Sequence, residues 1–226
     1  MKKLFFLLLT TVAFNANAQN SSSETTVSNQ RFRFALQGGF SQLLAKTATS
    51  IAPQNRNYIS ELKSGYHYGA DLTYFLKPTW GLGLKFNQFR SSHTGIYNDE
   101  TLGTLDLTTT LVNTFIGPSF ATKYDSANNK HLFFFNVAIG YMGYLSDKES
   151  LQVESTGATV GSALDAGYDY RITKNIAIGA QVSIVGGVLS KVTHKRGNQS
   201  VTETFPDNQK ESMSRLDVSF GARFNF

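Results

Sequence analysis

The sequence predicts an all-β protein: an eight-stranded antiparallel up-and-down transmembrane β-barrel with short periplasmic turns and long extracellular loops. Three observations support this fold class. The last thirteen residues alternate strictly between apolar and polar side chains, seven further segments show the same period of two, and long and short connections alternate between these segments. A membrane barrel turns apolar side chains to lipid and polar ones to its interior, so a period of two is its expected signature.

The C-terminal segment, residues 214–226, shows this pattern most clearly. Its apolar positions are Leu216, Val218, Phe220, Ala222, Phe224 and Phe226, with Arg215, Asp217 and Arg223 among the residues between them. Successive side chains of a strand point to opposite faces. We therefore predict that Leu216 and Phe220 face lipid while Asp217 and Arg223 lie inside the barrel.

Seven earlier segments repeat this alternation. They lie at about residues 31–40, 65–74, 80–87, 107–124, 131–145, 160–173 and 176–192. The fourth is the least regular, and its faces cannot be assigned from the pattern. Proline inside a sheet is usually found at a bulge or an edge, so Pro118 is expected to mark one of these.

The connections alternate between long and short without exception. The short ones are residues 77–79, 125–130 and 174–175, and the long polar ones are residues 44–62, 93–106, 146–159 and 193–213. Lys174-Asn175 fits a two-residue hairpin turn. Outer-membrane barrels have short periplasmic turns and longer extracellular loops, so both termini are expected in the periplasm. A soluble β-sandwich is the alternative, and its connections would alternate less regularly.

The amino terminus predicts secretion. Lys2 and Lys3 precede a short apolar run and a small-residue cleavage site ending at Ala18, the layout of a signal peptide. We assign residues 1–18 to the signal peptide, 19–30 to a flexible periplasmic lead-in and 31–226 to the barrel. The 226-residue chain contains no cysteine, and its formal charge of +5 includes two lysines of the signal peptide. This small excess does not indicate a nucleic-acid partner.

Aromatic residues are expected to form two girdles where the barrel crosses the membrane interfaces. One set lies near the short turns: Tyr74, Trp80, Tyr124, Phe133, Tyr170 and Phe224. The other set lies towards the long loops: Tyr66, Tyr68, Phe86, Tyr141 and Tyr144. The enrichment of aromatic residues in strands generally is the simpler explanation for any one of them.

The same register predicts a polar network inside the barrel. Its charged members are Arg33, Asp71, Lys85, Asp165, Asp169, Arg171, Arg215, Asp217 and Arg223, with His67 on the same face. Five positive charges face four negative ones, whereas an ion-selective pore would carry an excess of one sign. Because buried charges must be paired and an eight-stranded barrel has little room beyond its own side chains, we expect a plugged lumen.

Catalytic, cofactor and metal motifs are weak. The four histidines fall in separate segments without metal-ligand spacing, so neither a metal site nor a cofactor site is predicted. Ser91-Ser92-His93 is the nearest local nucleophile–base combination, but activation depends on spatial geometry; a solvated loop is the favoured interpretation. His194-Lys195-Arg196 could bind the phosphates of lipopolysaccharide. The alternative interpretation is that these residues form a solvated loop tip. The chain is not predicted to be an enzyme.

Together, the signal peptide, the eight strands and the terminal Phe224-Asn225-Phe226 resemble the small outer-membrane β-barrels of Gram-negative bacteria. The resemblance is to the OmpA-transmembrane-like and OmpX-like barrels and to the outer membrane protein beta-barrel domain group that includes PorT-like proteins. It implies insertion by the barrel assembly machinery, with Phe224 and Phe226 as the assembly signal. It also implies contact with outer-membrane lipid and lipopolysaccharide, and it does not transfer a substrate.

Three functions are compatible with these features. The first is a structural or interaction protein that uses its extracellular loops, or belongs to an envelope or secretion complex with a surface or envelope protein as partner. The second is a narrow, porin-like channel for small or apolar solutes. The third, ranked last, is a lipid-modifying enzyme.

Overall fold

The computed structural model describes residues 30–45, 52–99, 103–206 and 210–226. The predicted signal peptide and nearly all of the predicted lead-in lie outside the described residues. The strands are β1 (Phe32–Leu43), β2 (Ser64–Lys77), β3 (Trp80–Asp99), β4 (Gly103–Asp125), β5 (His131–Lys148), β6 (Val153–Arg171), β7 (Ile176–Leu189), β8 (Lys191–Arg196), β9 (Gln199–Thr204), β10 (Glu211–Ser212) and β11 (Arg215–Asn225). A short helix, α1 (Arg56–Glu61), follows a 3-10 turn at Pro53–Asn55, and a second 3-10 turn spans Glu149–Leu151.

Eight of these strands form a closed antiparallel ring. Strands β1 to β7 pair in chain order, and β11 closes the ring between β7 and β1. The closing ladder runs from Arg33 opposite Asn225 to Leu43 opposite Arg215. Closure leaves no unpaired edge in the wall, which a sheet surrounded by lipid requires. The predicted eight-stranded barrel is therefore confirmed.

The alternation of side chains separates an apolar outer wall from a polar interior. On β11, Phe220 is 67% exposed and Asp217 is 0% exposed. On β3, Leu84 is exposed whereas Lys85 is fully buried. Apolar residues on the outside and charged residues on the inside reverse the usual arrangement of a water-soluble domain. Among the described residues, no helix is long and apolar enough to cross a membrane.

The short connections lie at one end of the barrel and consist of residues 78–79, 126–130 and 172–175. The predicted two-residue hairpin at Lys174-Asn175 is wrong, because four residues join β6 and β7 here. The hydroxyl of Thr173 accepts hydrogen bonds from the backbone N–H groups of Asn175 (3.3 Å) and Ile176 (3.0 Å). This side-chain capping stabilises the wider turn.

Two of the predicted long loops are largely strand. The β3–β4 ladder continues to Asp99 opposite Gly103, and the β5–β6 ladder continues to Lys148 opposite Val153. The physical reason is cross-strand pairing between hydroxyl side chains, such as Thr94 with Thr108 at 2.9 Å. A polar hairpin that extends beyond the membrane needs no apolar face. The predicted loop 193–213 likewise contains β9, β10 and part of β8.

Pro118 marks neither a bulge nor an edge. The β4–β5 register is the same on both sides of it, with Ile116 opposite Tyr141 and Ser119 opposite Ala138. Only the pairing of residues 117 and 118 is interrupted. Pro118 faces outward and has no N–H group to donate to the neighbouring strand. The alternation of inward and outward side chains along β4 is therefore the same before and after it.

Tyr144 does not belong to the outer aromatic girdle. Met142 is fully buried on the inner face of β5, and Tyr144, two residues further along, packs against the same apolar cluster. Tyr141, by contrast, is exposed on the outer face. The prediction was wrong because it considered only that residue 144 is aromatic. The alternation of side chains along β5 places Tyr144 on the inner face, with Met142.

Candidate functional site

The predicted lumen residues all lie on the inner face of the barrel. Eight are at most 1% exposed: Arg33, Asp71, Lys85, Asp165, Asp169, Arg215, Asp217 and Arg223. Arg171 is 9% exposed and lies nearer the short turns. The structure brings the eight together in three adjoining groups, here called the Asp169, Lys85 and Asp217 groups, which follow one another towards the long-loop end.

In the Asp169 group, one carboxylate binds two guanidinium groups. Arg33 donates to Oδ2 from Nη2 (2.8 Å) and Nε (3.1 Å), and Arg223 donates to Oδ1 from Nε (3.2 Å). The Arg33 guanidinium also lies 4.0 Å from the ring centroid of Phe134, on the opposite wall. A carboxylate shared by two arginines joins β1, β6 and β11 through the interior.

The Lys85 group contains one ammonium and two carboxylates. Lys85 Nζ lies 3.3 Å from Asp71 Oδ1 and 3.0 Å from Asp165 Oδ2. Asp165 also accepts a hydrogen bond from the side-chain amide of Asn136 at 2.9 Å. Gln37 links this group to the first one, because its amide donates to Asp71 while its oxygen accepts from Arg223.

The Asp217 group lies nearest the long-loop end. Asp217 accepts hydrogen bonds from Arg215 Nε (3.1 Å), Ser41 Oγ (2.7 Å) and Asn87 Nδ2 (3.2 Å). The Ser41 hydroxyl is also 2.7 Å from Nδ1 of His67. These residues come from β1, β2, β3 and β11, so this group also crosses the lumen.

Arg171 is separate from these groups and forms a fourth. Its Nη2 lies 2.5 Å from Asp125 Oδ1, and Lys123 Nζ lies 3.6 Å from the other oxygen of the same carboxylate. The sequence pattern does not predict Lys123 and Asp125, because it does not assign the faces of the fourth segment. Counting by twos from Ser119, which is buried, would have placed both inside.

An apolar layer lies above the Asp217 group, towards the long loops. Its buried side chains include Phe115, Met142, Leu189 and Met213. Above that layer is a cavity of about 630 Å³, lined mainly by apolar residues and by several charged ones. The barrel interior is thus divided into a charged half filled by its own side chains and a partly open half at the long-loop end.

Helix α1 forms part of the cavity wall. The hydroxyl of Tyr58 donates to Thr109 Oγ1 (2.7 Å) and lies 3.0 Å from the carbonyl oxygen of Leu107. Burial raises the pKa of the Tyr58 hydroxyl, and the Thr109 bond opposes this in part. The side chain of Asn55 exchanges two 2.9 Å hydrogen bonds with the backbone of Asn98. These contacts fix α1 against β3 and β4.

The predicted Ser91-Ser92-His93 combination does not form a nucleophile–base pair. Ser91 donates to the carbonyl oxygen of Leu62 (2.7 Å), Ser92 bonds to Thr110 (3.1 Å), and the His93 ring packs against Tyr58. Each side chain is engaged in a structural contact of the extended hairpin. In the part of the chain that the structure describes, no group of three or more His, Asp or Glu residues is placed to hold a metal ion.

The predicted His194-Lys195-Arg196 cluster is divided by the pleat of β8. His194 contacts Ser155 (Nδ1 to Oγ, 2.8 Å) and Glu203 (Nε2 to Oε2, 3.5 Å), a contact that sequence reasoning missed because the residues come from three strands. Lys195 is exposed and pairs in register with Glu154 of β6. The three basic residues therefore do not share one face.

Comparison with known proteins identifies the fold. The chain is similar to the outer membrane protein OprG from Pseudomonas aeruginosa, with 13% identity over 88% of this chain and 98% of that one and a TM-score of 0.52. It is also similar to Neisserial surface protein A (12%, 86% and 97%, TM-score 0.49) and to the outer membrane protease OmpT from Escherichia coli (8%, 92% and 99%, TM-score 0.45). No family model and no curated protein sequence matches the chain. The chain has the fold of a small bacterial outer-membrane β-barrel.

Proposed function

We propose that the protein is a structural or interaction protein of the bacterial outer membrane. It acts through its extracellular end, alone or as part of an envelope or secretion complex. The observation that carries this proposal is the lumen network, in which charged groups from β1, β2, β3, β6 and β11 meet across the interior. Because side chains fill the lumen of the transmembrane part and its outer wall faces lipid, the long-loop end is the part of the barrel that can contact partner molecules.

In this proposal the short turns and both termini lie in the periplasm, and the long hairpins lie outside the cell. Residues 1–18 are the signal peptide, and residues 19–30 are the periplasmic lead-in. The apolar outer wall contacts membrane lipid, and the hairpins contact lipopolysaccharide. The orientation rests on the difference in length between the two sets of connections: the turns are of two to five residues, whereas the β3–β4 and β5–β6 hairpins extend well past the ring.

The filled lumen supports interaction over conduction. A conducting pore needs an open path lined by an excess of one charge. Here the arginine and lysine side chains are paired with carboxylates, and aromatic rings such as Phe134 fill the space between them. Breaking such buried pairs leaves uncompensated charge, which is strongly unfavourable. A narrow channel for small or apolar solutes remains the second function, and conductance measurements distinguish the two.

The decisive experiment is single-channel recording of the purified protein in planar bilayers. The proposal expects no steady conductance from the wild type. A variant with Asp71→Ala, Lys85→Ala and Asp165→Ala removes the charges of the Lys85 group together and should allow measurable ion passage. Steady conductance of the wild-type barrel would support the channel instead.

An interaction role is tested by pull-down from native outer membranes. The expected result is an envelope or surface protein that co-purifies with the wild type and is lost when the β8–β9 hairpin, residues 191–204, is shortened. A co-purifying protein that is unaffected by this change would place the contact elsewhere on the molecule.

We further propose that Phe224 and Phe226 act as the signal read by the barrel assembly machinery. Phe226 exchanges two backbone hydrogen bonds with Phe32, each 2.9 Å long, and Phe224 packs against Phe34 on the outer wall. Phe226→Ala should lower the membrane-inserted fraction in cells. Phe40→Ala is the matched control, because Phe40 is similarly exposed on the outer wall (56% against 61% for Phe226) but lies away from the terminus. Equal loss in both variants would contradict the proposal.

A further inference from the structure

We propose that the short-turn end of the barrel binds the anionic head groups of phospholipids in the leaflet that surrounds it. This inference goes beyond the proposed function, which concerns the opposite end of the barrel. The leaflet is the periplasmic one in the orientation proposed above, but the contact follows from the charges of this end in either orientation. Its test is independent of conductance and of any partner protein.

The short-turn end carries an excess of positive charge. It contains six basic side chains: Arg31, Lys77, Lys123, Lys130, Arg171 and Lys174. Among the described residues of this end, Asp125 is the only acidic one, and its carboxylate is already paired with Arg171 (2.5 Å) and Lys123 (3.6 Å). The other four basic residues are exposed and are called the basic rim here: Arg31, Lys77, Lys130 and Lys174.

The rest of the barrel does not share this excess. In the lumen, the Asp169, Lys85 and Asp217 groups together contain four basic side chains and four carboxylates. At the long-loop end, carboxylates such as those of Glu61, Glu149 and Glu154 lie among the basic residues. The net positive charge of the described chain is therefore concentrated at the short-turn end, an arrangement that favours contact with an anionic surface.

The basic rim surrounds the end of the barrel. Each short connection contributes one lysine, with Lys77 at the β2–β3 turn, Lys130 at the β4–β5 turn and Lys174 at the β6–β7 turn. Arg31 directly precedes β1, which is the neighbour of the closing strand β11. Cations distributed around the whole circumference are complementary to a ring of lipid head groups, whereas a partner protein that docks on one side would need them on that side.

The basic rim lies at the height of the phospholipid head groups. Tryptophan and tyrosine side chains mark the membrane interface. Lys77 is paired in register with Trp80, and Arg31 Nη1 lies 3.4 Å from the hydroxyl oxygen of Tyr74. The Trp80 ring stacks on Phe120 of the apolar outer wall, with 5.9 Å between the ring centroids. The cations therefore begin where the apolar wall ends, which is the depth of the lipid phosphates.

The turns that carry the lysines are held in place by their own hydrogen bonds. In the β4–β5 turn, Asn128 Oδ1 accepts from Ser126 Oγ (2.6 Å) and from the backbone N–H of Lys130 (3.0 Å). In the β6–β7 turn, the side-chain amide of Asn175 donates to the carbonyl oxygen of Asn225 (2.8 Å). Because the backbone of these turns is already ordered, little further entropy is lost when a head group binds.

The test uses the single tryptophan of the chain, Trp80, as a reporter of the lipids beside the basic rim. The full barrel is reconstituted in vesicles of equal parts phosphatidylglycerol and phosphatidylcholine, prepared twice, with bromine on the acyl chains of one lipid or of the other. Bromine quenches tryptophan fluorescence at short range, so the two degrees of quenching give the relative occupancy of the sites beside Trp80.

The variants are Lys77→Gln, which removes the nearest cation, and Arg90→Gln as the matched control. Arg90 is an exposed cation of the same strand as Trp80, but it lies ten residues further towards the long-loop end. Circular dichroism checks that each variant folds.

We expect phosphatidylglycerol to be enriched beside Trp80 by up to about fivefold in the wild type, the effect of one cation near an anionic surface. Lys77→Gln should lower this enrichment about twofold or more, and Arg90→Gln should leave it unchanged. Salt at about 1 M, where the Debye length is about 3 Å, should abolish the enrichment in the wild type.

A second reporter tests whether the preference extends around the basic rim. In the double variant Trp80→Phe with Tyr170→Trp, the only tryptophan lies near the end of β6, four residues before Lys174. We expect the same enrichment of phosphatidylglycerol there, and we expect Lys174→Gln to lower it.

The proposal is overturned if both lipids quench the wild type equally, if the enrichment persists in Lys77→Gln, if it is lost in Arg90→Gln, or if it is absent at the second reporter. Removal of the enrichment by millimolar glycerol phosphate at constant ionic strength would also overturn it, because the rim would then bind a soluble anion. A non-conducting barrel without lipid preference would reject this inference and leave the proposed function intact.

Discussion

Arg33 and Asp169 are 136 positions apart in the sequence, yet Arg33 Nη2 lies 2.8 Å from Asp169 Oδ2 inside the barrel. Arg33 belongs to β1 and Asp169 to β6, which are not neighbours in the ring. The pair therefore crosses the lumen instead of following the wall. With Arg223 on the second oxygen of the same carboxylate, it connects parts of the barrel that backbone hydrogen bonds do not join directly.

Asp169→Asn should strongly destabilise the barrel. The change leaves the Arg33 and Arg223 guanidinium groups in the interior without their carboxylate, and breaking a buried pair costs about 3–5 kcal/mol. Equilibrium unfolding in urea, with the protein in lipid vesicles, measures the free energy of unfolding. Asp147→Asn is the control, because Asp147 is exposed on the extended β5 hairpin. Similar values for the two variants would contradict a structural role for the lumen pair.

Phe220→Lys should cost roughly 2–4 kcal/mol if this position lies near the bilayer midplane. Phe220 is 67% exposed on the outer wall of β11, so the lysine would be placed in lipid. The same vesicle unfolding assay measures the effect, and Phe220→Leu is the control that keeps the position apolar. A lysine variant as stable as the leucine variant would show that this face is not in lipid.

Gly39→Ala should weaken the β1–β11 seam. A methyl group on Gly39 would overlap the carbonyl oxygen of Val218, whereas one on the adjacent Gly38 would meet only the carbonyl oxygen of His67 at 3.4 Å. Overpacking of this kind costs roughly 1–3 kcal/mol. Gly38→Ala is thus the control, because Gly38 is the adjacent residue and lies on the opposite face of the strand. The expected result is a lower unfolding midpoint for Gly39→Ala, and equal midpoints would count against the close approach.

Tyr58 should ionise at a higher pH than an unperturbed tyrosine. Burial raises its pKa above the ordinary value of 10.0, so the folded state favours the neutral hydroxyl that bonds to Thr109. The stabilisation of α1 by this group is complete below the unfolded pKa and is lost as the pH rises towards the folded one. The difference in tyrosinate absorbance between the wild type and Tyr58→Phe gives this titration. A midpoint at or below the ordinary value would contradict the buried position.

The alternation of side chains was sufficient to predict the ring and the inner faces of most strands. In β11, β6 and β2 most residues of the inner face are charged, polar or small, so parity alone identifies Asp71, Asp169 and Asp217. The partners of these residues could not be predicted, because they depend on the tilt and stagger of eight strands. The contact between Arg33 and Asp169 forms only in the closed barrel, so neither local sequence segment indicates it.

The long-loop end was predicted less well. Polar hairpins lack the contrast between two faces that marks a membrane strand, so β3, β4 and β5 extend further than the pattern indicated. Helix α1 has six residues, too few for a helical period to be visible. Tyr58, which lines the cavity, and Asn55, which holds α1 against β3, consequently had no distinguishing signal in the sequence.

The ladder between β1 and β11 has a consequence for how this molecule can be made. Until β11 is in place, both β1 and β7 have an unpaired edge, and an unpaired edge is not tolerated in lipid. The wall is thus completed by pairing residues as distant as Arg33 and Asn225. Such long-range closure is slow, since much chain entropy is lost before the contact forms. Insertion is therefore a late, all-or-none event, and a chain interrupted before β11 is expected to be cleared by proteases without ever spanning the membrane.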